Sequence, residues 1–174
     1  MKKIIALLLA LVMMVSMFAC AKEEKEPATE LENETVESGE GEASDQSVGE
    51  TLLAAFKADH SGPALAVAER LIANKIIPFG GGASTVEAGF LSGFDNTEIT
   101  GFEEGATFGP YIGSIAFVGY VFKLPEGADV EGFKTTLKEA ANLRWNICVE
   151  AEEMIVHNEG NVVFFLMCPT TFEN

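Results

Sequence analysis

The chain has 174 residues and a formal net charge of −16, with 27 acidic against 11 basic side chains. Such an excess of carboxylates excludes nucleic acid as a natural partner, because phosphate recognition needs a basic surface. A neutral or cationic partner suits the long-range field better, although an acidic surface also serves plain solubility.

The first element is an export signal. Met1-Lys2-Lys3 is followed by an uncharged stretch from Ile4 to Phe18, then Ala19-Cys20. A basic start, an apolar core and a small residue before cysteine are the pattern of a bacterial lipoprotein leader, cleaved after residue 19 and acylated on Cys20. The 15-residue apolar run is short for a spanning helix, which needs about 20 residues. A plain secretory signal and an uncleaved anchor are the alternatives, and Met17-Phe18 departs from the usual lipobox. With a diacylglyceryl group and a further acyl chain, Cys20 would hold the protein to the membrane. The expected location is therefore extracytoplasmic, lipid-anchored to the outer face of the cell membrane.

Residues 20–50 read as a tether. From Lys22 to Glu50 there are eleven acidic residues, two basic ones and no aromatic. Such a segment buries too little apolar surface to offset its ordering entropy, and its like charges extend it. Fully stretched it would reach about 100 Å.

Residues 51–174 read as one domain of common size, with seven basic against sixteen acidic residues, a net charge of −9. Leu52, Leu53 and Phe56 predict a first short helix. His60-Ser61-Gly62-Pro63 breaks it, and Ser61 or Gly62 is placed to cap a second helix with Pro63 in its first turn. Leu65, Ala68, Leu71 and Ile72 share one face of that helix. Ser84-Thr85-Val86-Glu87 fits a capping box and predicts a third, short helix. The run from Ile112 to Leu124 is apolar on both parities, as in an inner strand covered on both faces. Asp129 caps a helix from Val130 to about Cys148, with Val130, Phe133, Leu137, Ala140, Ala141 and Arg144 along one stripe. A hairpin closes the chain: Glu152–His157, the turn Asn158-Glu159-Gly160-Asn161, then Val162–Cys168. The expected fold is α+β: helices, then β-α-β-β, with a three- or four-stranded, mostly antiparallel sheet packed with helices.

The succession resembles a family of small Gram-positive lipoproteins defined only as a domain of unknown function (DUF4358-like). The residues that carry the likeness span about 85–174. They are Leu91-Ser92-Gly93-Phe94-Asp95, Thr97-Glu98-Ile99, the strand from Ile115 to Phe122, the long helix, and Gly160-Asn161-Val162-Val163. Gly80-Gly81-Gly82 and the stretch from Gly109 to Gly113 depart from that pattern. The resemblance implies a fold outline; it implies no activity and no site residue.

Chemistry-bearing constellations are sparse. Gly80-Gly81-Gly82 before Ser84 matches neither G-x-G-x-x-G nor a P-loop and reads as a flexible joint. His60 and His157 are the only histidines, and pairing with Cys148 or Cys168 would be needed for thiol catalysis. Both cysteines sit in apolar sequence and read as buried free thiols by default, with a bridge between them as the alternative in an exported protein. Neither a metal-ligand spacing nor a cofactor motif is present, so no metal or cofactor is expected. The aromatic, glycine-rich stretch from Phe79 to Tyr111 is the candidate interaction segment. Phe90 and Phe94 are expected in the core. Phe108 and Tyr111, with Phe79 and Trp145, are the candidate binding residues, and Glu103 and Glu104 are placed to attract a cation. The expected function is a non-catalytic binding or interaction module for an envelope protein or a small ligand. The alternatives are an accessory envelope lipoprotein without a pocket and, third, an enzyme.

Overall fold

A computed structural model of the chain describes residues 46–172. The signal peptide, Cys20 and the acidic segment as far as residue 45 lie outside the described residues. Among the described residues no helix is long and apolar enough to cross a membrane.

Helix α1 spans Val48–Ala58 and begins at a capping box: Glu50 N–H donates to Ser47 Oγ at 3.1 Å, and Ser47 N–H donates to Glu50 Oε2 at 3.3 Å. Val48, Gly49 and Glu50, read from the sequence as the end of the tether, belong to this helix. Leu52 and Phe56 are fully buried.

Helix α2 spans Ala64–Ile72 and buries Ala64, Val67, Ala68 and Leu71, a helical stripe. Pro63 stands at its N-cap and supplies no side-chain cap. Ser61, expected as a cap, instead bonds Asp59, its Oγ donating to Oδ1 at 2.6 Å. The free amide of Ala64 donates to Glu104 Oε2 at 2.8 Å, so a carboxylate from elsewhere in the chain faces the positive end of α2. That bond, with Lys123 Nζ 3.4 Å from Oε1, holds the Glu104 carboxyl below the usual glutamate value. A lowered folded-state pKa gives a contribution present above the ordinary glutamate range and lost as pH falls through the lowered value. Glu104 is 45% exposed, so Glu104→Gln is expected to cost less than about 1 kcal/mol at neutral pH. Urea unfolding of the two proteins should converge in acid.

Seven strands follow among the described residues. They are β1 (Gly81–Val86), β2 (Gly89–Phe90), β3 (Glu98–Ile99), β4 (Glu104–Pro110), β5 (Val118–Lys123), β6 (Glu153–Glu159) and β7 (Val162–Cys168), with helix α3 (Val130–Ala140) between β5 and β6. Strands β1-β4-β5-β7-β6 form one antiparallel sheet in that order, and β2 pairs with β3 in a small separate ladder. The class is α+β with an antiparallel sheet, as the sequence predicts. The sheet has five strands because the segment before Tyr111 supplies β1 and β4.

Two predicted helices change. Ser84–Glu87 does not open a helix: Ser84, Thr85 and Val86 are in β1, paired with Thr107, Ala106 and Gly105. The helix expected to reach Cys148 stops at Ala140, because Asn142 takes over. Its backbone N–H donates to the Gly93 carbonyl at 2.9 Å, its Nδ2 donates to Asp95 Oδ1 at 2.6 Å, and its own Oδ1 accepts from Arg144 N–H at 2.8 Å. The strand expected from Ile112 begins only at Val118, since residues 111–117 form the reversal between β4 and β5.

Both sheet faces are covered. Val162, Phe164, Leu166 and Cys168 of β7 point to α1 and α2, while Val163, Phe165 and Met167 pack toward α3, Phe94 and Ile99. All seven residues of β7 are buried, as a central strand between two layers requires. Phe94 is fully buried as expected, whereas Phe90 is 66% exposed, because the short β2–β3 ladder turns its side chain outward.

Candidate functional site

One end of the sheet carries Gly81, Gly109, Val118 and Cys168, together with the 111–117 reversal and the loop after α3. Val48 N–H also donates to the Thr170 carbonyl here, at 2.9 Å. At this end lies a cleft of about 910 Å³. Its floor is small and polar: Ser84 pairs with Thr107 and Gly82 with Gly109 across β1 and β4. Tyr111, Trp145 and Asn146 line it on the α3 side, and Ile72 and Glu69 border it from α2. The cleft therefore straddles β1.

Tyr111 is held by its backbone, whose N–H donates to the Gly80 carbonyl at 3.1 Å, while its ring lies over Gly82. A Cβ on Gly82 would sit 2.7 Å from Tyr111 Cε1, so only glycine allows the ring this close. Tyr111 is nonetheless 77% exposed; Ile112, next to it in sequence, and Ile147, next to Asn146, are 84% and 87% exposed. Asn146 Nδ2 donates to the Ile115 carbonyl at 3.4 Å, tying the loop of Ile147 to that of Ile112. Of these exposed apolar residues Tyr111 lines the cleft, and Ile147 follows the lining residue Asn146 in sequence.

Behind the floor, the Tyr120 hydroxyl donates to the Ser92 carbonyl at 2.9 Å and fixes the β2–β3 region over the sheet. Burial pushes its pKa up to about 12, so it stays a neutral donor at physiological pH. Thr107 Oγ1 donates to the Gly119 carbonyl at 3.1 Å. The only charged side chain among the described residues lining the cleft is Glu69.

Of the four aromatic candidates, Tyr111 and Trp145 line the cleft as side chains able to meet a ligand. Phe108 borders it from within the core: it is 1% exposed and stacked on Phe164 at 6.4 Å. Phe79 does not line it and packs edge-on to Phe117 at 5.3 Å and Phe172 at 5.5 Å. Both side chains turn toward α1 and α2, where they join the core. Glu103 and Glu104 lie at the far end of β4, about 20 Å of strand from Tyr111, and so do not serve the cleft. Ser84, Thr107, Ser92 and Asn146 were not legible as site residues, and Gly80–Gly82 is a strand start and floor rather than a joint.

The histidines flank one ring, Phe56, with His60 at 5.6 Å and His157 at 6.4 Å. His157 Nε2 lies 2.9 Å from Glu159 Oε1, and this bond is the main cause of the lowered Glu159 pKa. Neither cysteine joins them. Cys168 is buried with its Sγ 3.7 Å from Glu153 Oε2, and burial, then that carboxylate, pushes its thiol above the usual cysteine range. Cys148 is exposed, contrary to its apolar sequence context, because the loop after α3 turns it outward. Iodoacetamide should therefore modify Cys148 in the folded protein and Cys168 only after denaturation, as read by peptide mass mapping.

No family model matches this chain, and comparison with curated proteins and with solved structures returns no match.

Proposed function

We propose that this chain is an extracytoplasmic lipoprotein, acylated on Cys20 and held at the outer face of the cell membrane, whose domain is a non-catalytic binding module. The observation that carries the binding reading is the cleft itself, about 910 Å³ and lined by Trp145, Asn146 and Tyr111, whose side chain is largely in water. An exposed aromatic ring at a concavity with hydroxyls at its base suits recognition of a partner. The accessory reading draws on the sealed faces of the sheet; the cleft favours binding over it. Anchoring rests on the leader sequence and Cys20, and the likeness to DUF4358-like lipoproteins agrees with it.

Two readouts test this. Mass spectrometry of the membrane fraction should find a Cys20 amino terminus bearing acyl chains, and Cys20→Ser should release the chain from lipid modification. Tyr111→Ala should change what co-purifies with the membrane-extracted protein while altering stability by less than about 0.5 kcal/mol, since the ring is exposed. An unmodified Cys20 thiol refutes the anchor, and an unchanged partner set refutes the cleft.

A further inference from the structure

We infer that the open edge of β1 accepts an extended, basic peptide segment of a partner protein as an added strand, with the cleft receiving its side chains. The inference rests on the binding reading above and names the class of partner. Strand β1 has a single neighbour, β4, through six continuous register pairs without a bulge. The bond from Tyr111 N–H to the Gly80 carbonyl sets the phase of that ladder. Alternation then turns the backbone groups of Gly82, Ser84 and Val86 toward β4 and those of Gly81, Ala83 and Thr85 to the outside. Among the described residues no backbone or side-chain group bonds those outward donors and acceptors.

Edge strands are ordinarily guarded by lysine, proline, a bulge or an inward charge. Gly81-Gly82-Ala83-Ser84-Thr85-Val86 has none of these. The opposite edge, β6, carries Glu153, His157 and Glu159 and is met by α1, where Gly49 N–H donates to Glu153 Oε2 at 3.1 Å. The unguarded edge is also the one the cleft straddles. Side chains of a strand added to β1 alternate between the two faces: one row meets Tyr111 above Gly82 and Ser84, and the other meets Ile72 and Glu69. Backbone groups would give affinity and these two rows specificity.

Charge selects among occupants. Residues 51–174 carry a net −9, and Glu69 borders the cleft. A second copy of the chain and its own acidic 22–45 segment are both repelled by that field, whereas a peptide bearing lysine or arginine is drawn to it.

The test uses the full-length chain in detergent and a fluorescein-labelled decapeptide alternating valine and lysine, read by anisotropy. Binding is expected, and Ala83→Pro, which removes an outward N–H but no bond to β4, should weaken it about tenfold, the worth of one backbone bond. Two peptides N-methylated on alternate residues, one parity each, provide a second measure independent of the variant's folding. One parity should lose binding and the other retain it. Tyr111→Ala should weaken every form that binds. Equal binding of both methylated peptides, or unchanged binding by folded Ala83→Pro, overturns strand addition, and loss on Tyr111→Ala alone then leaves the cleft reading standing. No binding of the parent peptide overturns the inference. So do a dimer that Ala83→Pro dissolves, and adsorption to phosphatidylglycerol vesicles that Ile112→Ser abolishes while Ala83→Pro does not.

Discussion

Phe164→Ala is expected to lower the unfolding free energy by about 4 kcal/mol and the Tm by about 15 °C. Phe164 lies in the middle of β7, fully buried, with neighbouring strands on both sides. Its ring stacks on Phe56 of α1 at 5.2 Å and on Phe108 of β4 at 6.4 Å. It is thus the one ring that ties α1 to the sheet on one side and to the strand beneath the cleft on the other. Removing it leaves a void whose walls belong to a helix and two strands, none free to close over it, so transfer and cavity terms add. Phe164→Leu keeps most of the volume and should cost no more than about 1.5 kcal/mol. Urea unfolding followed by the fluorescence of Trp145, the only tryptophan, measures both. An alanine cost below about 2 kcal/mol would mean that α1 settles into the gap, and that this face of the core is less fixed than its stacked rings imply.

Gly119→Ala should cost about 3 kcal/mol although it adds a single methyl group. Gly119 is an interior residue of β5, opposite Phe108 on one side and Leu166 on the other. Its backbone does not call for glycine; the neighbouring ring does. A Cβ there would clash with Cζ and both Cε atoms of the Phe108 ring. That ring cannot swing aside, because Phe117 meets it edge-on at 5.9 Å and Phe164 stacks on it. Phe108→Leu in the same chain should return part of the loss, since the two sites share one volume and their effects cannot add. Strictly additive costs would show that the penalty of Gly119→Ala has another source. The pair also explains why Phe108 is unavailable to a ligand: it is the side chain that fills the space glycine leaves in the middle of the sheet.

Where the sequence alone sufficed, local pattern and tertiary environment agreed. Val162–Cys168 is apolar on both parities and is the strand buried on both faces. Gly160, with φ of 58°, supplies the reversal that pairs it with β6. The two S-x-x-E sequences show where agreement fails. Ser47-Val48-Gly49-Glu50 leads into Leu52 and Phe56 at helical spacing, and it caps α1. Ser84-Thr85-Val86-Glu87 follows three glycines, and its β-branched Thr85 and Val86 find a partner strand in β4. Strand β4 itself, Glu-Gly-Ala-Thr-Phe-Gly-Pro, carries little strand propensity and exists because β1 and β5 hydrogen-bond to its two sides.

The site was legible in the same measure. Tyr111 stood out as a large aromatic in weakly patterned sequence and Trp145 as the tryptophan near the end of the predicted helix, and both line the cleft. Phe79 and Phe108 belonged to the same glycine-rich stretch but are claimed by the core. The hydroxyl floor was invisible, because Ser84 and Thr107 lie far apart in sequence and meet only through the register of β1 with β4. The open edge was invisible for the same reason: a segment read as a helix start has no edge.

A photo-crosslinking residue placed at Tyr111 of the membrane-bound full-length chain, with Glu126 at the opposite end of the sheet as the control position, decides whether the cleft receives a partner. Binding there predicts a discrete adduct from position 111 that the valine–lysine decapeptide suppresses, and none from position 126. No adduct from 111, or the same adduct from both positions, would contradict it.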